Sequence, residues 1–389
     1  SELLEFPWEE GKRQRLLEAI AWAVRRRDEP APTPGATGFL SRDDPVLVEL
    51  RREITESCHP DVLLERSTDI LLALIFNVES DDYPGFVVDA LEELIGEALG
   101  RGKLDLAVRV LSSLGASTQL GGQKMREHAR RLELFRRRVA GRAQIALVAG
   151  ILRENVSPEQ MEGAAEYLRG VAREGVEEFA NLLAEERDRR VRARMCQVLA
   201  RVGPVMVPVL VPRLDDTRWY VVRNLLYILG RIGHESAFLP LIPLLDHQHP
   251  RVRVEAIRAL ALVGGEAAAG PILRCVPDHD PTVCRAAVKA VGSLRSDEGV
   301  PVLRDLLTRP VTADDHLEIQ QEAVTALATI GTPVARGVLD DLASRRLWFW
   351  QRAEKRIRAM AADALSGRRL PSPLPAGAAA GGGGSGSGR

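Results

Sequence analysis

The chain has 389 residues, with 53 Lys and Arg against 54 Asp and Glu and a formal net charge of −1. That length exceeds what one compact core accommodates, so several domains or an elongated array of small units is required. The charge balance excludes an overall electrostatic pull toward nucleic acid or membrane, and any charge signal must be local. Hydrophobic residues make up 45% and aromatics only 4%, so the cores must be built mainly from Ala, Leu and Val, a mixture that favours helices packed through small and branched side chains.

Only five basic residues are Lys (12, 103, 124, 289 and 355) and the rest are Arg, a bias that a GC-rich bacterial genome would produce and that supplies forked, always-charged donors. Cys58, Cys196, Cys275 and Cys284 form no C-x-x-C pair, so they read as small buried hydrophobes rather than as a disulfide frame. No signal-peptide core and no apolar run of about 18 residues is read in the chain, so a cytoplasmic protein with no membrane partner is expected. The chain begins at Ser1 rather than Met, consistent with processing or with a piece of a longer chain.

Residues 1–27 hold one amphipathic helix over 8–27. The Pro- and Gly-rich stretch 28–44 reads as a linker. Residues 45–157 read as helix after helix, at 45–57, 61–78, 85–99, 103–115, 123–140 and 142–153, with breaks at "YPG" (83–85) and "GRG" (100–102). Two more helices are expected at 158–172 and 175–186. No segment shows sustained strand alternation. The tail 371–389, "PSPLPAGAAAGGGGSGSGR", has nothing to build a core and is expected to be disordered.

An internal repeat organises residues 158–370. Leu168, Leu199, Leu229, Leu260, Val291, Leu327 and Leu365 follow one another at 31, 30, 31, 31, 36 and 38 residues. Counting the residue eight before each as position 0, positions 0, +4, +7 and +8 are almost all apolar, which is one face of an α-helix. Position +4 is often Ala, as at Ala256, Ala287 and Ala323, and +7 likewise, so layers can approach closely. Gly203, Gly233, Gly264 and Gly331 stand where a helix end favours positive φ. A shorter helix precedes each of the next ones, marked by Pro208, Pro240, Pro271 and Pro301, because Pro is tolerated in a first helical turn. Each unit is a helix–turn–helix of about 30 residues that must stack on its neighbours to bury its apolar face.

The segments "HPRVRVEAIRALALVG" (249–264) and "DPTVCRAAVKAVG" (280–292) resemble the second-helix pattern of HEAT repeats, in the short form also found in phycobilin lyases; "DRRVRARMCQVLARVG" (188–203) is similar more loosely. The resemblance implies an all-α fold: a right-handed α-solenoid of HEAT-like helical hairpins, after a less regular helical N-terminal region. It also implies that the second helices line a concave side. Positions +2 and +6 of the central repeats would then face a groove: Arg223 and Tyr227, Val254 and Arg258, Arg285 and Lys289. Four of these six are basic and none is acidic. Gly230, Ala261 and Gly292 at +9 are expected to leave room for a ligand. The partner-binding residues expected are therefore Arg223, Tyr227, Arg258, Arg285 and Lys289, receiving an acidic peptide or protein surface. Arg192 and Arg253, at +1, are expected instead to pair with Asp groups of neighbouring turns.

"LLDHQHPRVR" (244–253) holds Asp246, His247 and His249, residue types that bind metal. Its place in the repeat is the turn before a second helix, where "EERDRRVR" (185–192), "LDDTRWYV" (214–221) and "PDHDPTVC" (277–284) also carry Asp or a polar group. Capping a helix start is the physical need at that place, so a capped turn is expected and no metal or cofactor. The deoxyhypusine hydroxylases resemble this chain in being HEAT-like, but they hold two irons with repeated His-Glu pairs. This chain has a single pair, His234–Glu235. Nucleophile, P-loop and dinucleotide motifs are absent, so no catalytic residue is assigned. The expected function is that of a non-enzymatic scaffold or adaptor. Two other readings stay open: a nucleic-acid-binding protein like the HEAT-like DNA glycosylases, to which "RRLWFWQRAEKRIR" (345–358) would contribute aromatics among basic groups, and a phycobilin-lyase-like modifier.

Overall fold

A computed structural model describes residues 60–77, 85–117, 133–154, 156–311, 313–345 and 352–367. The helices expected at 8–27 and 45–57, the linker 28–44, the tail 371–389 and the residues Trp348, Phe349 and Trp350 lie outside the described residues. All regular structure among the described residues is helical, and it falls into two compact units, Ser1–Val202 and Gly203–Arg389.

In the first unit the helices are α1 (Pro60–Asn77), α2 (Gly85–Gly100), α3 (Leu104–Ser117), α4 (Arg142–Ile151), α5 (Pro158–Gly170), α6 (Arg173–Glu185) and α7 (Arg189–Val202), with a further helical segment at 133–138. They stack in series: α3 packs on α5 and α5 on α7, while α2 packs on α4 and α4 on α6. Small residues set the spacing between layers. A Cβ on Gly170 would stand 3.0 Å from the Leu111 side chain, and one on Gly163 3.3 Å from that of Leu104. Ser157 and Gln160 close a capping box at the start of α5, which satisfies two backbone donors that the helix itself leaves open. Tyr167 is fully buried and donates its hydroxyl hydrogen to Val139 O at 2.8 Å. Burial pushes its phenol far above the ordinary value.

In the second unit the long helices are α8 (Trp219–Ile232), α9 (Pro250–Gly264), α10 (Pro281–Leu294), α11 (Val300–Thr308), α12 (Asp314–Ile330), α13 (Pro333–Ser344) and α14 (Arg352–Leu365). The second helices of successive repeats, α8, α9, α10, α12 and α14, pack side by side as one layer. First helices are short. Val207–Leu210 and Phe238–Leu241 each continue into a 3-10 turn at Val211–Arg213 and Ile242–Asp246, where Pro212 and Pro243 cannot supply the next helical N–H. The α11 segment carries only Pro301, in its first turn, and runs for 9 residues.

The apolar register read from the sequence is the buried one. Val252, Ala256, Ala259 and Leu260 in α9, and Val283, Ala287, Ala290 and Val291 in α10, are all buried, as are Ile319, Ala323, Ala326 and Leu327 in α12. The register weakens in the terminal repeat: Ile357 and Ala361 are buried, but Leu365 is 37% exposed, because within the described residues no further helix follows to cover it. Pro250–Leu273 is also long and apolar enough to cross a membrane by length and composition, contrary to the expectation that no such run exists. Within that stretch Val252, Ile257, Leu260 and Ile272 are buried in helix packing.

The helix ends follow the glycine expectation with two exceptions. Gly203, Gly233 and Gly331 have positive φ, but in the third case of the series the positive φ falls on Gly265 rather than Gly264. In α10 the position is held by Arg295, at φ 54° and ψ 29°, where an L side chain crowds its own carbonyl. Arg295→Gly is therefore expected to stabilise the protein by about 0.5–1 kcal/mol, after the greater chain entropy of unfolded Gly is allowed for. A rise in the thermal midpoint checks this; no change or a fall would contradict it.

Candidate functional site

The helix layer of the second unit brings the expected residues onto neighbouring helices. Arg223 and Tyr227 stand on α8, Arg258 on α9, and Arg285 and Lys289 on α10. Arg223, Arg258 and Lys289 are exposed, whereas Tyr227 and Arg285 are half-buried. Two carboxylates that the row of +2 and +6 positions did not include change its electrostatics. Glu255, buried at +3 of α9, places Oε2 3.8 Å from Arg223 Nε and 3.5 Å from Arg258 Nη1. Glu318, just before position 0 of α12, is hydrogen-bonded to the Arg285 guanidinium. The row is thus partly neutralised from beneath and from one side. A Glu set between two core positions on a helix carrying this register is the signal that could have revealed Glu255.

The +9 glycines do something other than expected. Gly230 and Gly292 are buried, and a Cβ on them would stand 2.8 Å from Ala259 Cα and 2.7 Å from Ala326 Cα. The room they leave is filled by the backbone of the next second helix, not open to a ligand. Leu262, 61% exposed, lies alongside Gly230 on the surface of the layer.

Several turns before second helices share one capping geometry, although the N-caps Arg218 of α8 and Ala313 of α12 make no side-chain cap. Asp278 Oδ1 accepts from Asp280 N and Asp280 Oδ1 from Thr282 N, both at 2.8 Å. Asp216 Oδ1 accepts from Arg218 N at 2.8 Å. In the first unit, Glu186 accepts from Asp188 N and Asp188 from Arg190 N, at 2.8 and 2.6 Å. In the 244–253 turn the same two places are taken by imidazoles. His247 Nδ1 accepts from His249 N at 3.0 Å and His249 Nδ1 from Arg251 N at 3.2 Å. Both Nδ1 atoms are therefore occupied by backbone hydrogens. No group of three or more His, Cys, Asp or Glu placed to hold a metal is found among the described residues.

Arg253 ties this ladder together. Its side chain is buried; Nε and Nη2 donate to the two oxygens of Asp278 at 2.8 Å each, and Nη1 donates to His247 O at 2.9 Å and Gln248 O at 3.3 Å. Burial pushes the Asp278 carboxyl up, but the Arg253 fork and the Asp280 amide hold it below the ordinary carboxylate value. At the same +1 position in the first unit, Arg192 donates to Glu186 O and Arg187 O at 2.9 and 2.8 Å. Gln320 does so in α12, donating to Leu306 O and Arg309 O at 3.0 and 2.8 Å. In α7, α9 and α12 the +1 side chain staples the second helix to the end of the first, whereas α8 and α10 carry Val222 and Cys284 there. Arg253 alone also reaches the carboxylate of the next turn. Cys275 and Cys284 are buried thiols, each pushed up to about 11 by burial, and neither is poised as a nucleophile.

The family model of HEAT repeats matches residues 238–314, the stretch holding α9, α10 and α11. Residues 238–314 are therefore similar to HEAT repeats, and they lie in the second unit's all-α, solenoid-like array of repeated helix pairs. Among solved structures, human deoxyhypusine hydroxylase in complex with glycerol is 19% identical, with 73% of this chain and 99% of that chain covered and a TM-score of 0.28. The CpcE–CpcF complex of phycocyanin lyase from Nostoc is 20% identical, covering 61% of this chain and 92% of that one, with a TM-score of 0.29. Kap121p bound to Pho4p is 14% identical, covering 92% of this chain and 42% of that one, with a TM-score of 0.38. No curated protein sequence matches the chain.

Proposed function

We propose that the protein is a non-enzymatic interaction scaffold whose second-helix layer in the second unit receives an acidic segment of another protein. The observation that supports this is the exposed cationic row Arg223, Arg258 and Lys289 on three adjacent helices, beside the half-buried Tyr227 ring. Rim charges of this kind steer encounter and fix register more than they add affinity. Arg285 serves the site indirectly, because its pairing with Glu318 fixes α10 against α12. Charge reversal there would break a structural pair, and reversal of Arg223 or Arg258 would set new carboxylates against buried Glu255, so Lys289 is reversed and those two arginines are only neutralised.

The test compares Arg223→Gln/Arg258→Gln/Lys289→Glu with the unaltered protein in capture of partners from native lysate at two salt concentrations. Unchanged circular dichroism establishes that the variant is folded. The expected result is a protein retained by the unaltered chain and weakened about tenfold or more in the variant, with retention falling as salt rises. Retention of every partner by the folded variant would overturn the site. Nucleic acid in place of protein in the eluate would overturn the class of partner.

A further inference from the structure

The cap ladder contains one titratable rung. Elsewhere in the second unit the acceptors at these two places are the carboxylates of Asp216, Asp278 and Asp280, each held below the ordinary carboxylate value. Asp278 is held so against burial, which pushes it up, and by Arg253. Asp216 and Asp280 are held chiefly by hydrogen bonds from Arg218 and Thr282. Such acceptors stay available through the whole neutral and mildly acidic range. His247 and His249 accept only while neutral, because a protonated imidazole has an N–H at both nitrogens and nothing left to accept with.

The surroundings make this rung a junction of three successive repeats. The His249 ring stacks on Trp219 of α8, with centroids 4.1 Å apart and planes 13° from parallel. The Arg251 guanidinium carbon stands 5.4 Å from the same Trp219 ring. The His247 carbonyl accepts from Arg253, which is locked onto Asp278 before α10. The charged groups around the pair are therefore Arg251 and Arg253 of α9, with Asp246 beside them in sequence. Asp278 is already engaged by Arg253, and His279 Nε2 is 3.4 Å from Arg253 Nη2. Asp216 and Arg218, before α8, are closed on each other at 2.8 Å. No carboxylate among these is bonded to either imidazole, and the helix start itself repels an added positive charge.

We propose that the turn 246–250 is a proton-operated joint: neutral His247 and His249 cap α9 and hold it in line with α8 and α10, and protonation withdraws both acceptors and releases the first turn of α9. Burial holds His247 below its ordinary 6.5, with the charge of Arg253 and the His249 ring acting the same way against the hydrogen bond it accepts. The folded turn thus binds fewer protons than the released one. The part of the capping that His247 supplies is complete above 6.5 and is lost as the pH falls below that value. The His249 ring stays stacked on Trp219 while its cap is lost. The joint opens locally rather than unfolding the repeat.

The experiment is amide hydrogen exchange of the full chain between about pH 7.5 and about pH 5, corrected for the intrinsic rate at each pH. The amides of 249–253 are compared with those of 280–284, the Asp-capped equivalent. Protection in 249–253 is expected to fall about tenfold on acidification while that in 280–284 holds. In His247→Asp/His249→Asp, which installs the side chains of the next turn, the fall should vanish. His249→Asn, with a non-titrating acceptor, should halve the response or better. An equal fall in both turns, no fall in either, or a fall that persists in the double Asp variant would each overturn the proposal.

Discussion

Arg253→Met is expected to lower the unfolding free energy of the second unit by about 3–5 kcal/mol, the range for breaking a buried ion pair from one side. The guanidinium is buried and donates to both oxygens of Asp278, which also accepts from Asp280 N, and to the carbonyls of His247 and Gln248. Met matches the stem in volume but strands the half-buried carboxylate and opens the turn. Arg253→Lys should recover only part of the loss, since one ammonium cannot span both carboxylate oxygens and the carbonyls together. Urea unfolding of the full chain measures both. A loss below about 1 kcal/mol for Arg253→Met would mean that the pair behaves as an exposed one. Because the Asp278 carboxyl is held below its ordinary 3.8, its contribution is complete above that value and is lost as the pH falls beneath it. This acid loss should shrink in Arg253→Met, where the Asp280 amide still holds the carboxyl down.

Gly292→Ala should destabilise by about 1–3 kcal/mol, although Ala is the better helix former by about 1 kcal/mol. The added Cβ would lie 2.7 Å from Ala326 Cα and 2.8 Å from Ala326 Cβ. These are atoms without rotamer freedom, so only separation of α10 from α12 relieves the clash. Gly230→Ala meets Ala259 in the same way, at 2.8 and 3.1 Å, and should behave alike. Gly337→Ala, in α13 with nothing within 4 Å of the new Cβ, should have the opposite sign and stabilise by up to about 1 kcal/mol. Thermal melts of the three variants decide the matter. A stabilising Gly292→Ala would mean that the two helices do not approach as closely as described.

These contacts show where reading the sequence succeeded and where it stopped. The apolar positions 0, +4, +7 and +8 follow from the 3.6-residue helical period, and they are buried in α8, α9, α10 and α12. The capping role of the 244–253 turn was also legible, since its place in the repeat matches that of Asp280. Pairing of Arg253 with an Asp of the neighbouring turn was expected as well, and Asp278 is that partner. The +9 glycines were misread because sequence alone says only that a side chain is missing, not which neighbour occupies its place. Glu255 and Glu318 were overlooked because they reach the basic row from adjoining positions on the same and neighbouring helices.

The sequence by itself determined the helical class, the repeat length and the inward face of each second helix, because periodicity and capping are local and recur in every unit. Only the tertiary structure decided which helices touch through their backbones, which arginines of the row are already neutralised, and that the His247–His249 turn meets Trp219 on one side and Asp278, through Arg253, on the other. Most of those contacts join residues 25 or more positions apart, the Arg258–Glu255 and Arg253–His247 pairs being local, and the spacing of one repeat against the next sets them rather than the pattern within any one repeat.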